Sequence, residues 1–347
     1  MRAERGGSRA ASFPPAARQL RLLDSVASSA LFLAAMKPTL LVLIPLHDDA
    51  RETLAAHFEL VYAPDAPART RAIDMHGASV RAVLTNGTTG LSDAELAILP
   101  RVEFIHALGA GYENLPLAAA RARGIALAHG VGANDDCVAD HAFALLLATV
   151  RGVVRLDAAC RAGVWRDALP MPPNFSGKRL GIVGLGRIGA KIARRAAGFD
   201  LEIGYHGRHP RDGATLRYFG ALIDLARWAD YLVVATPGGA GTHHLIDAAV
   251  LDALGAAGFV VNVSRGSVVD TAALAAALRD GRIAGAGLDV YEGEPAPPAE
   301  LIGLEQVVLT PHLAGTSPQA RDRTVTLFIE NATRHFAGEP LVTPLDA

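Results

Sequence analysis

From Thr39 onward the chain alternates between short continuous apolar runs and longer stretches in which apolar residues recur every three or four positions. The first kind, "TLLVLIP", "ELVYAP", "RAVLTNG", "VEFIHAL" and "IALAH", predicts strands buried on both faces. The second kind, "DDARETLAAHF", "SDAELAIL" and "NLPLAAARARG", predicts helices between some of them. A second series opens at "RLGIVGLG" and continues through "LEIGYH", "YLVVATP", "GFVVNVS", "AGAGLDV" and "QVVLTPH", with "DTAALAAALRD" as one of its helices. Strands that alternate with helices predict a parallel sheet, because a parallel neighbour needs a crossover and a helix supplies it. Two such series predict two lobes, and 347 residues exceed what one hydrophobic core supports.

The fold class expected is therefore α/β, with two Rossmann-like parallel-sheet domains and a cleft between them: a flavodoxin-like first lobe and a dinucleotide-binding second lobe. Between the series, "NDDCVADHAFALLLATVRGVVRLDAACRAGVW" contains no proline and reads as one long apolar helical connector. The closing stretch "SPQARDRTVTLFIENATRHFAGEP" puts Val325, Phe328 and Ile329 on one helical face, with no strand after it to cover. It is expected to pack back on the first lobe, which makes that lobe residues 37–137 plus 318–347 and the second lobe 138–317. Residues 1–36 are rich in Arg and Ser and poor in acids, and Asp24 interrupts their apolar run. They read as a disordered or mis-started leader, with Met36 directly before the first strand pattern.

"GIVGLGRIGAKIARRAAGF" carries Gly184, Gly186 and Gly189 between a strand pattern and a helix whose Ile188, Ile192 and Ala196 share a face. Glycine at the first position allows the tight turn, at the second it lets a pyrophosphate reach the backbone, and at the third it lets the helix close on the sheet. A carboxylate about twenty residues on would take the ribose 2′-hydroxyl of NAD. In "LEIGYHGRHP" that place is held by His206, and Arg208 follows. A guanidinium suits a 2′-phosphate, so NADPH is the preferred cofactor and NADH the possible second one.

The formal charge is −2, which gives no reason to expect a nucleic-acid or membrane partner. Two cysteines without CxxC spacing indicate neither a disulfide framework nor a structural metal, and they fit a reducing cytoplasm. His243 and His244 are adjacent at the start of an expected helix, where they would face different directions, so no metal site is expected there.

Three further stretches place polar residues at the C-terminal ends of predicted strands, where open α/β sheets bind ligands: Arg265 in "VVNVSRGSVVD", Asp289 and Glu294 in "GLDVYEGEP", and His312 in "LTPHLAG". With "GAGYENL", "VADHAFALLLATVRG" and "ATPGGAGTHHLI", these ordered motifs from about residue 39 onward resemble the D-isomer-specific 2-hydroxyacid dehydrogenases, in particular the glyoxylate/hydroxypyruvate reductase branch. The resemblance implies NAD(P)H-dependent reduction of a small 2-oxo acid, with Arg265, Glu294 and His312 as the catalytic set. It implies Asn86, Gly87, Arg265 and His312 around the substrate. Around the cofactor it implies Gly184, Gly186, Arg187, Ile188, Gly189, His206, Arg208, Thr236, Pro237, Val263, Ser264, Asp289, His312 and Ala314. A homodimer formed through "AFALLLATVRGVVRL" is implied as well. Reduction of larger aromatic 2-oxo acids is the alternative within the family, and a non-catalytic NAD(H)-sensing protein of the same fold is the alternative outside enzymes.

Overall fold

The structure is a computed structural model that describes residues 37–345. Its first sheet is made of β1 (Thr39–Val42), β2 (Glu59–Tyr62), β3 (Val80–Thr85), β4 (Phe104–Ala107) and β5 (Ala126–His129), all parallel, in the order β2-β1-β3-β4-β5. The second is made of β6 (Arg179–Val183), β7 (Glu202–His206), β8 (Arg217–Phe219), β9 (Tyr231–Val234), β10 (Phe259–Asn262), β11 (Gly285–Leu288) and β12 (Val307–Leu309). Its order is β12-β11-β10-β9-β6-β7-β8, again all parallel. The first is the flavodoxin-like order and the second the dinucleotide-binding order with one added strand. β1, β6, β9 and β10 are buried along their whole length or nearly so, which is why they read as unbroken apolar runs.

Two elements escape the hydrophobic pattern. The helix Ala66–His76 buries only Ala72 and Ile73, so it has no apolar stripe; its signal is instead Asp65, whose side chain accepts from the Ala68 amide, followed by proline in the first turn. β8 is a three-residue edge strand, too short to show a period.

The connector is two helices rather than one. Asp135–Val150 ends at Arg151, Gly152 takes a left-handed φ of 60°, and Val153–Arg161 leaves at 57°. No single helix among the described residues is long and apolar enough to cross a membrane, although this bent pair passes on length and composition. The first of the two lies on the second sheet, where Leu145 and Leu146 join the core formed by Ile182, Val233 and Val261. A ladder of ion pairs, Arg187–Asp135, Lys191–Asp136 and Arg195–Asp140, ties it to the helix Arg187–Ala196. The final helix, Pro318–Phe336, sets Val325, Phe328 and Ala332 against Leu40, Leu84 and Phe104 of the first sheet. Phe328 is fully buried there, and a side chain of that size contributes about 1.5–3 kcal/mol by leaving water. Backbone pairing of Ala128 with Pro344 then fixes the chain end beside β5.

Candidate active site

Each sheet changes the direction of its strand order beside its first strand, at β1/β3 and at β6/β9. Loops that leave the strands at such a point diverge and open a crevice. Here the two crevices share one cavity of about 640 Å³. Pro45, Leu46 and His47 after β1, and Asn86, Gly87 and Thr88 after β3, line its first-lobe side; Val263, Ser264 and Arg265 after β10, Asp289 after β11, and His312 line the other.

The glycine turn has the geometry its spacing calls for. Gly184 sits at φ 96°, and a Cβ on Gly189 would lie 2.1 Å from the Gly184 carbonyl oxygen, so both positions need glycine. A Cβ on Gly186 would meet nothing within 4 Å. Gly186 is the N-cap of the helix Arg187–Ala196, no side chain caps it, and the first turn carries no acid. Free amides, a positive helix end and open space together suit a pyrophosphate. Beside the turn, the Thr236 hydroxyl is buried without a partner among the described residues. A bound dinucleotide could satisfy it.

At the far end of β7, His206 donates from Nδ1 to the Phe219 carbonyl at 2.9 Å. Arg208 is exposed, and Arg211, which the sequence reading passed over, lies across the turn with Nη1 donating to the Leu185 carbonyl at 2.9 Å. Arg211 thus reaches the glycine turn, and Arg208 stands exposed three residues before it.

The polar groups of the cavity are held by a chain of short contacts. His312 Nδ1 meets Glu294 Oε2 at 2.7 Å, and Glu294 Oε1 accepts from the Tyr291 amide at 3.1 Å. The carboxylate fixes the ring through Nδ1 and leaves Nε2 as the nitrogen it does not engage. His312 itself has φ 53°, unusual for a side chain with a Cβ, and its amide donates to the Asp289 carbonyl at 2.9 Å. The nearly inaccessible Asp289 carboxylate accepts from the amides of Leu313 and Ala314 at 2.9 and 2.8 Å and from the Thr310 hydroxyl at 2.6 Å. His141, from the connector helix, reaches Thr310 Oγ1 at 2.9 Å. Asp289 therefore anchors the loop that presents His312. Arg265 is oriented by Asn262, a fully buried polar residue in an apolar strand, whose amide donates to the Arg265 carbonyl at 2.9 Å.

A hydroxyphenylpyruvate reductase of Plectranthus scutellarioides is 38% identical over 307 residues, covering 88% of this chain and 98% of that protein. The chain belongs to the D-isomer specific 2-hydroxyacid dehydrogenases. The NAD binding domain described for that family matches residues 143–314. A glyoxylate/hydroxypyruvate reductase A of Arabidopsis thaliana is 36% identical over 306 residues, covering 88% of this chain and 98% of that one. The solved NADPH-dependent glyoxylate/hydroxypyruvate reductase of Sinorhizobium meliloti, in complex with NADP and malonate, superposes with a TM-score of 0.83 at 37% identity over 89% of this chain and 97% of that one. As a member of this family the chain is an NAD(P)-dependent oxidoreductase, and its two parallel-sheet α/β lobes are those of its relatives.

Within this dehydrogenase the structure brings Asn86, Gly87, Ile188, Val263, Ser264, Arg265, Asp289, His312 and Ala314 to one cavity. Glu294 joins them through His312. Asn86 spends its side chain locally, accepting from the amides of Thr88 and Thr89 at 3.0 and 2.6 Å, so that its loop rather than its amide group faces the cavity. Gly184, Gly186, Arg187, Gly189, Thr236 and Pro237 surround or adjoin the glycine turn, Arg187 being drawn aside to Asp135 at 2.8 Å. One expectation is corrected: His243 and His244 do not open a helix. They follow the short turn Ala240–Thr242, well ahead of the helix Ala248–Leu254, and His244 has φ 49°. Their rings stack at 3.9 Å, and their ligand atoms lie within 4.8 Å of a Glu292 oxygen. His244 Nε2 already meets Glu292 at 2.9 Å, and that hydrogen bond raises its pKa above the ordinary imidazole value. Glu113, which reaches Arg265 from the first lobe, lies within the "GAGYENL" motif but was given no role of its own there, because a lone acid in a loop has no periodic signal.

Proposed function

We propose that this dehydrogenase reduces glyoxylate, hydroxypyruvate or a similar small 2-oxo acid to the D-2-hydroxy acid, with NADPH as the preferred hydride donor. In this reading residues 37–137 and 318–347 form the substrate lobe and 138–317 the cofactor lobe. What supports it is the contact of His312 with Glu294 at 2.7 Å on the wall of the cavity that also takes in Arg265. The bound cofactor supplies a hydride to the carbonyl carbon. Arg265 offers two N–H groups to the substrate carboxylate, and loop amides near Asn86 and Gly87 hold it from the other side. His312 Nε2 donates its proton to the carbonyl oxygen as the C–H bond forms, and Glu294 holds the ring in place through Nδ1. The neutral imidazole then recovers a proton from solvent. The preference for NADPH rests on Arg208 and Arg211, with His206 where a carboxylate would favour the 2′-hydroxyl.

A second reading, reduction of larger aromatic 2-oxo acids, is favoured by the cavity of about 640 Å³ and by the likeness to the hydroxyphenylpyruvate reductase. Steady-state kcat/KM for glyoxylate, hydroxypyruvate and hydroxyphenylpyruvate, each with NADPH and with NADH, separates them. The highest value is expected for a small acid with NADPH. Negligible turnover with all three would remove the reductase reading in favour of a nucleotide-sensing protein, and a clear NADH preference would remove the argument from Arg208.

The homodimer is likewise proposed, but not through the whole of "AFALLLATVRGVVRL": Ala142, Phe143, Leu145, Leu146 and Val150 are buried in the core of their own lobe, which leaves the surface to the helix that follows. The helix Val153–Arg161 buries none of its residues, and Val153, Val154 and Trp165 are exposed by 52, 56 and 66%. Such an apolar surface suits a second copy of this chain. A cytoplasmic location without nucleic-acid or membrane partners completes the proposal, and residues 1–36 lie outside the described residues.

A further inference from the structure

We infer that Glu113 occupies the substrate-carboxylate position when the site is free and is a specificity-determining residue, admitting small monoanionic 2-oxo acids and disfavouring those with a second carboxylate. This inference rests on the reading of Arg265 as the carboxylate anchor.

Glu113 belongs to the first lobe and Arg265 to the second, yet Glu113 Oε1 lies 2.9 Å from Arg265 Nε. Its other oxygen turns the opposite way: a Cβ on Gly87 would lie 2.6 Å from Oε2, and one on Gly111 would lie 2.7 Å from it. The carboxylate is thus lodged between the substrate loop at Gly87 and the guanidinium, the two groups expected to grip a substrate carboxylate. Both residues are about one-third exposed, so the place is open to solvent and to ligand. Gly111 and Gly238 keep it clear for the pair, since a Cβ on Gly111 would fall 2.0 Å from Arg265 Nη2 and one on Gly238 would fall 2.8 Å from Arg265 Cγ. Arg265 Nη1 is engaged by the Ser264 carbonyl at 2.6 Å. Nε, the atom Glu113 holds, is therefore one of the donors an incoming carboxylate needs.

The backbone under Glu113 cannot retreat with it. Asn114 Nδ2 donates to the Thr88 carbonyl at 2.9 Å, the Leu91 amide donates to the Asn114 carbonyl at 3.0 Å, and the Leu115 amide closes a turn on Tyr112 at 3.1 Å. A substrate carboxylate must therefore swing the Glu113 side chain off Nε while its charge stays close to Arg265. One guanidinium then faces two carboxylates. A third carboxylate, on the far end of a dianionic substrate, adds repulsion that Arg265, already shared between two carboxylates, does not offset.

The test is Glu113→Gln in the full chain. Oxamate, a monoanionic 2-oxo acid isostere, is titrated calorimetrically into the complex with NADPH, and KM is measured for glyoxylate and for 2-oxoglutarate. Expected are an oxamate Kd and a glyoxylate KM at least threefold lower than in the unaltered chain, and a 2-oxoglutarate kcat/KM improved at least three times more than that for glyoxylate. Glu113→Asp, which keeps the charge but withdraws it from Nε, is expected to tighten oxamate without improving 2-oxoglutarate. An unchanged or weaker oxamate affinity in both variants would overturn the inference and make Glu113 a positioning residue for Arg265. If the unaltered chain neither binds oxamate nor turns over any 2-oxo acid, it is the reductase reading that fails.

Discussion

The two sheets put a helix after the corresponding strand, β1 in one and β6 in the other, yet finish its N-terminus in opposite ways. After β1, the helix Asp48–His57 begins with two acids, and Asp49 both accepts from the Ala50 amide at 2.8 Å and pairs with Arg321 at 2.9 Å. Its positive end is neutralised by its own chain. After β6, the helix Arg187–Ala196 begins with a bare glycine, no acid and open space. The same topology thus gives one lobe whose first helix end is met by its own acids and one whose first helix end is left bare. The difference lies in the residues at a helix start, not in the fold.

The largest effect expected bears on the proposed division of labour, in which the proton donor comes from the second lobe alone. His312→Ala should lower kcat by roughly 10²–10⁴-fold, the usual range for a lost general acid, and Arg265→Ala should instead act mainly on KM. A kcat left intact by His312→Ala would remove the proton-donor assignment. Next comes a transplant of the first lobe's device. Gly186→Asp supplies a good N-cap, so the melting temperature should hold or rise, while NADPH affinity falls on the order of 100-fold because the new carboxylate takes the amides and repels the pyrophosphate. Fluorescence titration of NADPH reads the second part; undiminished affinity would mean that the turn is not the phosphate site. Smaller still, Arg208→Ala should cost about tenfold in kcat/KM with NADPH and little with NADH, the measure of one charge-assisted hydrogen bond at a partly exposed site.

The smallest effect belongs to the first lobe's interior. His106 on β4 is wholly buried, neither ring nitrogen has a partner among the described residues, and burial, with the nearby His129 adding to it, pushes its pKa down to about 3. The unfolded chain would bind a proton near the ordinary pKa of about 6.5 while the folded one does not, so this residue withdraws stability as pH falls from there towards 3. His106→Leu should flatten that acid limb in urea unfolding measured at pH 7 and pH 5. An identical slope in both proteins would show that His106 is not what destabilises the lobe in acid.

Much of this was readable from the chain because burial on both faces leaves an unmistakable trace: β1, β6, β9 and β10 are apolar but for Thr39, Arg179 and Asn262 at their ends, and the glycine spacing at 184, 186 and 189 encodes contacts within one turn. What was hidden depends on partners far away in sequence. The "GAGYENL" motif around Glu113 does not announce Arg265, 152 residues on (265 − 113), because the contact exists only once the lobes face each other. Arg211 carries no pattern until the loop after β7 folds over Leu185. The bend at Gly152 was missed because an apolar stretch without proline gives no stop signal, and a lone glycine with φ 60° looks in sequence like any tolerated one. The stacked pair His243 and His244 was misjudged for a related reason: the rule about adjacent residues applies to a helix, and the chain there is not helical.

The ladder of Arg187, Lys191 and Arg195 on Asp135, Asp136 and Asp140 also has a mechanical side. Because it bolts the junction helix to the nucleotide helix, the two travel as one beam, and any rocking between the halves must be absorbed in the short pivots on either side of it, near Gly132 with its φ of 88° and near Gly315. Two of the three acids of that beam are well exposed, so added salt would loosen the bolts before it touched the pivots.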